Sequence, residues 1–335
     1  MANSRTNMLN NDAKLSANTF AVGIEQRPTR DGFGAGVTAA AKAEARVVVL
    51  TADLAESTRA EWFQKEFPER FIEMGVAEQN MAAVAAGLAA AGKIPFITSY
   101  AAFSPGRNYE QIRTTIALNN LPVVVCGMHA GVSVGPDGAT HQMLEDIGLM
   151  RMLPGMTVIA PGDAEEAKKA VIAAAKTDSP VYIRFGRAAT PVFTTPETPF
   201  SVGKALVLFD SEKPQVALLS TGSVSYAALS AARALSEEGI RTMVVHIPTI
   251  KPLDADAVLN AAKRAGRIIT IEEHQAAGGF GSAVAELLAE QHPVPIRRLG
   301  IIDQFGQSGT PEELLAHYGL DSVHIGDVAR VFVRV

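Results

Sequence analysis

The sequence contains one cysteine, Cys126, and no long apolar run. One cysteine cannot form a disulfide within the chain, which favours a reducing compartment, and we expect Cys126 to be a small buried residue. A membrane span needs about 20 consecutive apolar residues, so we expect none. Residues 1–19 are polar and rich in Asn, which argues against a signal peptide. These absences predict a cytoplasmic protein.

The chain also lacks any block of like charges. It has 30 Lys and Arg residues and 35 Asp and Glu residues, which gives a formal net charge of −5. Without a basic patch, we expect neither nucleic acid nor an anionic membrane as a partner. The 335 residues, 47% of them hydrophobic, suffice for two hydrophobic cores of roughly 130–170 residues each. The composition is typical of a cytoplasmic enzyme or enzyme subunit.

Short apolar runs alternate with Ala-rich helical patterns in two parts of the chain, residues 27–187 and 204–335. Continuous apolar runs are typical of strands buried on both faces, and strand–helix alternation predicts parallel sheets. We therefore predict two doubly wound α/β domains, the second smaller. Residues 1–26 are predicted as a flexible arm, and the Thr- and Pro-rich residues 188–203 as a linker.

The elements follow from this alternation. Predicted strands are 47–50, 71–73, 94–98, 123–126, 158–160, 181–185, 216–219, 243–246, 268–272 and 295–299. Predicted helices are 34–45, 78–91, 111–119, 164–176, 226–237, 255–265 and 282–291.

Residues that follow the predicted strands deserve most weight, because ligands bind at the carboxyl ends of open parallel sheets. Glu78 opens a helix after strand 71–73, where a glutamate most often simply complements the helix dipole. Tyr100 and Phe103 follow strand 94–98. Two aromatic side chains at a strand end can form a slot for a ring, although such pairs more often belong to the core.

The segment 127–142 is the most unusual loop of the sequence. It contains two of the seven histidines, four glycines and an aspartate. Glycine lets the backbone approach a ligand, and loops carry functional side chains more often than they carry packing. Arg184 lies near the end of strand 181–185 and Arg187 follows it, where a guanidinium can bind a phosphate or form a surface ion pair. We predict a ligand site that includes this loop.

Together these segments resemble transketolase and, more broadly, the thiamine-diphosphate enzymes. The matched pieces are Thr29-Arg30, residues 51–57 (TADLAES), 75–80 (GVAEQN), 100–103 (YAAF), His129 and 135–142 (GPDGATHQ). They occur in the order of the family between Thr29 and Arg187. Residues 219–223 (LSTGS) and 271–274 (IEEH) resemble the C-terminal domain of the same family. The resemblance covers most of the chain and implies a pyrimidine-binding domain over 27–187 followed by a C-terminal-like domain over 204–335.

The resemblance also implies a partner. The diphosphate domain of the family carries a Gly-Asp-Gly stretch, followed by an Asn-containing magnesium ligand set, and this chain has no Gly-Asp-Gly. The sequence therefore resembles the C-terminal subunit of a two-chain transketolase. We expect a partner chain to bind the diphosphate and Mg²⁺, no metal ligands in this chain, and an assembly with two copies of each chain.

Site roles are carried over by this resemblance. Glu78 would activate the aminopyrimidine of thiamine diphosphate, and Tyr100, Phe103 and Tyr109 would pack against it. Asp137 and His141 would bind sugar hydroxyl and carbonyl oxygens, with His141 catalytic beside Glu78. The phosphate ligands would be Arg30, Ser57, His129 and Arg187, and Arg184 remains an alternative to Arg187.

The implied reaction moves a two-carbon ketol unit from a ketose phosphate to an aldose phosphate, as in the pentose phosphate pathway or a more specialised sugar route. Three alternatives remain open at this point. They are a 1-deoxyxylulose-5-phosphate synthase-like enzyme, the beta subunit of a 2-oxo-acid dehydrogenase, and a scaffold homologue without catalysis. The pairing of His129 and His141 with Asp137 favours transketolase.

Overall fold

A computed structural model describes residues 9–334 of the chain. Within them lie two α/β domains, each with a mostly parallel sheet between helices, so the predicted fold class is confirmed. The strands are β1 (Gln26–Pro28), β2 (Val47–Thr51), β3 (Phe71–Glu73), β4 (Ile94–Tyr100), β5 (Val124–Met128), β6 (Thr157–Ile159), β7 (Val181–Arg184), β8 (Ala189–Pro191), β9 (Leu206–Phe209), β10 (Val216–Ser220), β11 (Thr242–His246), β12 (Thr249–Lys251), β13 (Ile268–Gln275) and β14 (Ile296–Ile301).

The helices lie between these strands, much as the alanine-rich patterns indicate. They are α1 (Thr29–Ala43), α2 (Ala55–Thr58), α3 (Ala60–Glu66), α4 (Glu78–Ala90), α5 (Tyr109–Gln111), α6 (Asp146–Arg151), α7 (Ala164–Ala174), α8 (Ser225–Glu237), α9 (Ala255–Ala265), α10 (Phe280–Gln291), α11 (Pro311–His317) and α12 (Ser322–Phe332). The helix predicted over 111–119 is different in kind, since α5 continues as a π-helical segment over Ile112–Ala117.

The first sheet has the strand order β12-β6-β7-β5-β4-β2-β3, and all its neighbours are parallel except β12 and β6. Strands β2, β5 and β7 are buried along their whole length. Helices cover both faces of this parallel sheet, which explains why the sequences of these strands are continuous apolar runs. The central strands β4, β5 and β7 therefore end at one edge, where their loops meet.

The second domain contains the five-stranded sheet β14-β13-β10-β11-β9, in which only β9 runs antiparallel to its neighbour. Strand β12 comes from this part of the sequence and yet pairs with β6 of the first sheet. In the predicted linker, β8 pairs with β1. Short strands such as β8 and β12 have too few residues to show a periodic pattern, which is why the sequence did not predict them.

The predicted flexible arm divides into two parts. Residues 1–8 lie outside the described residues. From Leu9 onward the segment lies along the second domain, where Leu9 bridges Phe209, the Asn10 side chain donates to the carbonyl of Val207 at 2.9 Å, and the Tyr226 hydroxyl donates to the carbonyl of Thr19 at 2.9 Å. These contacts give the described part of the arm a defined position.

Buried polar contacts join the two domains. Oε2 of Glu166 in α7 lies 2.7 Å from Nε2 of His246 in β11, and Nδ1 of His246 lies 2.7 Å from the Ser225 hydroxyl of α8. The same Glu166 oxygen accepts the backbone N–H of Gly162 at 2.6 Å. All three side chains are at most 2% exposed. No helix within residues 9–334 is both long and apolar enough to cross a bilayer.

Candidate active site

Glu78 is a buried carboxylate at the edge of the first domain. It is the first residue of α4, directly after the loop that follows β3, and only 2% of it is exposed. Its Oε2 accepts a hydrogen bond from Nη1 of Arg107 at 2.9 Å. That arginine side chain is about half exposed, at 49%. A carboxylate at a helix start is favoured by the helix dipole, and the guanidinium compensates its burial further.

Four rings form a wall at the ends of β4 and β5. The ring of Tyr100 stacks on His129 at a centroid distance of 3.9 Å and on Phe103 at 5.9 Å. His141 meets Phe103 edge-on at 5.6 Å and Tyr100 at 6.0 Å. The structure thus brings together the two aromatic residues and the two histidines that the sequence singled out. Rings in such contact present an apolar surface to a planar ligand.

The turn after β4 connects this wall to Glu78. Asn108 is fully buried, and its side-chain amide donates to the backbone carbonyl of Glu78 and to the Ser104 hydroxyl, both at 3.1 Å. Gly106 sits where a Cβ atom would lie only 2.2 Å from the carbonyl oxygen of Ala102. The turn is therefore tight, and it fixes Phe103 and Arg107 relative to the start of α4.

Tyr109 is placed differently from Tyr100 and Phe103. Its hydroxyl donates to the carbonyl of Leu149 at 3.2 Å, and its ring packs against the hydrophobic core on one face of the first sheet. Within residues 9–334, no ring contact joins Tyr109 to Tyr100, Phe103, His129 or His141. We infer that Tyr109 supports the site from behind and does not form its surface.

His129 follows β5 and is 1% exposed, with a left-handed backbone at φ +55°. Burial, reinforced by the nearby positive charges of Arg30 and Arg187, lowers the pKa of His129 to about 3. Its imidazole is therefore neutral near pH 7. Its Nε2 lies 3.4 Å from Nη1 of Arg30, and its buried Nδ1 has no hydrogen-bond partner among residues 9–334. A neutral imidazole with a free nitrogen can accept or donate one hydrogen bond to a ligand.

Arginines surround His129. Nη1 of Arg30 donates to the backbone carbonyl of Ser57 at 2.8 Å, so Ser57 contacts this arginine through its main chain. Arg59, a residue not predicted from the sequence, donates to Asp31 at 2.8 Å and contributes to lowering the pKa values of Arg30 and His129. Burial is the largest cause of the lowered pKa of Arg30. The cluster is electropositive and suits an anion.

Asp137, Arg187 and His141 lie on or beside the glycine-rich loop. The carboxylate of Asp137 is 3.8 Å from Nη1 of Arg187, which also donates to the carbonyl of Val134 at 2.9 Å. Both side chains are more than 30% exposed. Nδ1 of His141 lies 2.9 Å from the Thr140 hydroxyl. All three predicted residues are accessible at the same edge of the sheet.

Arg184 is buried, whereas Arg187 is partly exposed. Arg184 is 8% exposed and its Nε donates to Asp146 at 2.9 Å. Its Nη2 donates to the carbonyls of Glu273 and Met143. These bonds commit the guanidinium to the interface between the domains. Arg187 is therefore the better candidate for a ligand contact.

Among residues 9–334, no group of three or more His, Cys, Asp and Glu side chains is arranged to hold a metal ion. Cys126 is buried, and burial raises its pKa well above the usual range.

Two family models cover most of the chain. Residues 25–192 match the transketolase pyrimidine-binding domain, and residues 203–325 match the transketolase C-terminal domain. The chain is similar to a putative transketolase C-terminal section of Methanocaldococcus jannaschii, with 42% identity over 88% of this chain and 93% of that protein. It is also similar to the 6-deoxy-6-sulfo-D-fructose transketolase subunit of a Clostridium species, with 39% identity over 91% of this chain and 94% of the relative.

One solved structure is similar over nearly its full length. It is described as a split gene transketolase, an inactive beta4 tetramer. The match has a TM-score of 0.85 and 41% identity, and it covers 92% of this chain and 98% of the solved chain.

Proposed function

The chain belongs to the transketolase family, and on that premise we propose that it is the cofactor-activating subunit of a two-chain transketolase. The observation that carries the proposal is the buried Glu78 carboxylate, which Arg107 links to the wall formed by Tyr100, Phe103, His129 and His141. The proposed reaction transfers a two-carbon ketol unit from a ketose phosphate to an aldose phosphate. Two relatives that match over nearly their full length are named as a transketolase section and a transketolase subunit, which supports a two-chain enzyme.

The residues present fit the pyrimidine end of thiamine diphosphate. That end is a flat aminated heterocycle, and a carboxylate flanked by aromatic rings matches both its nitrogen and its faces. The buried amide oxygen of Asn108 and the buried Nδ1 of His129 have no partner within the described chain, as is common where a ligand completes a site. When bound, the cofactor supplies the carbanion chemistry. Because the sequence lacks Gly-Asp-Gly, we assign the diphosphate and Mg²⁺ to the partner chain.

Three side chains of this subunit, those of Glu78, Asp137 and His141, then have defined roles. Glu78 hydrogen-bonds the ring nitrogen and holds the proton that sets the ring's tautomer, which is the work of a positioned acid–base group. Asp137 accepts a hydrogen bond from a sugar hydroxyl. His141, held by Thr140, bonds the hydroxyl or carbonyl oxygen of the donor sugar.

The arginine cluster is proposed to bind the charged end of the sugar. The guanidinium groups of Arg30 and Arg187 would donate hydrogen bonds to the phosphate, and the uncharged imidazole of His129 would add one more hydrogen bond. Arg30 is linked to Ser57 through the main chain. Binding energy from a remote phosphate can help to align the reacting carbons. One relative is named for a sulfonated sugar, so a panel of phosphorylated and sulfonated donors is the direct way to identify the substrate.

We propose that the chain self-associates when it is alone and is active only with its partner. The support is the similar solved chain, which is described as an inactive tetramer of one subunit type. The simplest active assembly has two copies of each chain. Size measurements of the isolated chain and of the mixture, together with ketol transfer by each, test this assembly.

The catalytic proposal is tested with Glu78→Gln. With the partner chain, thiamine diphosphate and Mg²⁺ present, this variant should lose at least about 100-fold in turnover, the range expected when a general acid–base group is removed. Glu290→Gln is the matched control, because Glu290 is an exposed residue of α10 in the other domain. Full turnover by Glu78→Gln, or full activity of the chain without a partner, would contradict the proposal.

A further inference from the structure

Arg107 makes two contacts that a bound aminopyrimidine would also make. Its Nη1 donates to Oε2 of Glu78 at 2.9 Å, and its guanidinium carbon lies 4.9 Å from the ring centroid of Phe103. A guanidinium is planar, carries its N–H donors in the plane, and stacks on aromatic faces. An aminopyrimidine is planar as well, stacks on aromatic faces and bonds a carboxylate in its plane. The arginine therefore uses the same carboxylate and the same ring.

The two side chains of this ion pair, Glu78 and Arg107, differ in how freely they can move. Glu78 is 2% exposed and fixed at the start of α4, whereas 49% of the Arg107 side chain is exposed. The backbone beneath the arginine is held by the buried Asn108, whose amide bonds the carbonyl of Glu78. The long arginine side chain can rotate into solvent without any change in this backbone, because about half of that side chain is already exposed. The carboxylate has no such alternative position.

We propose that Arg107 is a placeholder for the aminopyrimidine. It positions the Glu78 carboxylate and covers the Phe103 ring until the heterocycle enters, and it then moves toward solvent. The inference rests on the cofactor role proposed for Glu78. It predicts that cofactor binding competes with an internal contact, so the measured affinity of the wild-type protein is lower than the affinity of the vacated site.

The test measures the dissociation constant of thiamine diphosphate at fixed Mg²⁺, by calorimetry on this chain mixed with its partner. Arg107→Ala should bind the cofactor about tenfold more tightly than the wild type, the factor that corresponds to about 1.4 kcal/mol. Arg107→Lys keeps the charge without the planar stack and should lie between the two. Arg113→Ala removes a charge from a nearby exposed position and should leave the affinity unchanged.

The outcomes separate this inference from the proposed function. If Glu78→Gln keeps full turnover, the cofactor role of Glu78 is wrong and the placeholder role falls with it. If Glu78→Gln loses turnover but Arg107→Ala binds the cofactor equally or more weakly than the wild type, only the placeholder role is wrong. Weaker binding would in addition place Arg107 in the loaded site. Thermal unfolding of Arg107→Ala confirms that the variant used for calorimetry is folded, and Arg107→Lys provides the same comparison if it is not.

Discussion

At the scale of single residues, His129 shows how a site can keep an imidazole neutral. The ring is buried against Tyr100 and faces Arg30 and Arg187, so protonation would add a charge to an electropositive, poorly solvated place. The result is a hydrogen-bonding group that does not change its charge across the physiological range. A substrate phosphate would then meet fixed arginine charges and one neutral ring.

This environment predicts a pH effect on stability. The folded-state pKa of His129 is about 3, below its usual value of 6.5, so the unfolded chain takes up a proton between these values and the folded chain does not. His129 therefore lowers the free energy of unfolding as the pH falls below 6.5. The loss amounts to about 2 kcal/mol at pH 5. Urea unfolding at pH 7 and pH 5 measures it.

His129→Gln is the control for that measurement, since glutamine does not titrate. Its free energy of unfolding should fall by about 2 kcal/mol less than that of the wild type between pH 7 and pH 5. An equal loss in the two proteins would show that His129 takes up a proton in the folded state.

Sequence reasoning predicted part of this residue cluster. Glu78, Tyr100, Phe103, His129 and His141 come together because parallel strands end at one edge. Arg107 and Arg59 were not predicted. The contact of Arg107 depends on the tight turn between β4 and α5, which no periodic pattern reveals. Its position four residues after Phe103 was the only local signal. Tyr109 lies two residues further on and points into the core instead.

At the scale of elements, the glycine-rich loop owes its shape to the second domain. The side-chain amide of Gln142 is buried and donates to the carbonyls of Val132, Gly135 and Gln307, at 3.1, 3.2 and 2.9 Å. Glu273 of β13 accepts the backbone N–H of Ser133 at 2.6 Å. Contacts from another domain thus hold the segment that carries Asp137 and His141.

We predict that Gln142→Ala loosens this loop. Leaving buried carbonyls without donors costs about 1–3 kcal/mol, so the variant should melt at a lower temperature and exchange amide hydrogens faster over 131–142. KM for the donor sugar should rise more than kcat falls. Gln275→Ala is a suitable control, because it removes one exposed bond to the carbonyl of Gln304. Unchanged exchange in the loop would contradict the role of Gln142.

The sequence predicted long elements better than short ones. Although the three-residue strand β3 also has its predicted bounds, the helix predicted over 255–265 has the bounds of the 11-residue α9. Apolar periodicity is strong in such elements. Helix α6 was not predicted, because its six residues hold no full amphipathic repeat and its buried Asp146 looks polar from the sequence. That aspartate is explained only by its partners, Tyr182 and Arg184.

At the scale of the whole molecule, the buried contact between Glu166 and His246 predicts that the domains unfold together. Glu166→Ala removes the partner of His246 and of the Gly162 N–H, which should cost about 2–4 kcal/mol. Scanning calorimetry of the wild type should show one transition, and that of the variant a lower or divided one. Glu165→Ala, at the neighbouring and less buried position, should change it little. Two transitions in the wild type would show independent domains.

The pairing of strand β12 with β6 affects how this chain folds during translation. Translation releases β6 long before Thr249–Lys251, the segment that pairs with it. Until then the growing first domain has an open strand edge, and such edges pair readily with other chains. A fragment that stops at the linker would keep that edge permanently and tend to aggregate. We therefore expect the first domain, when produced without β12, to aggregate more readily than the whole chain.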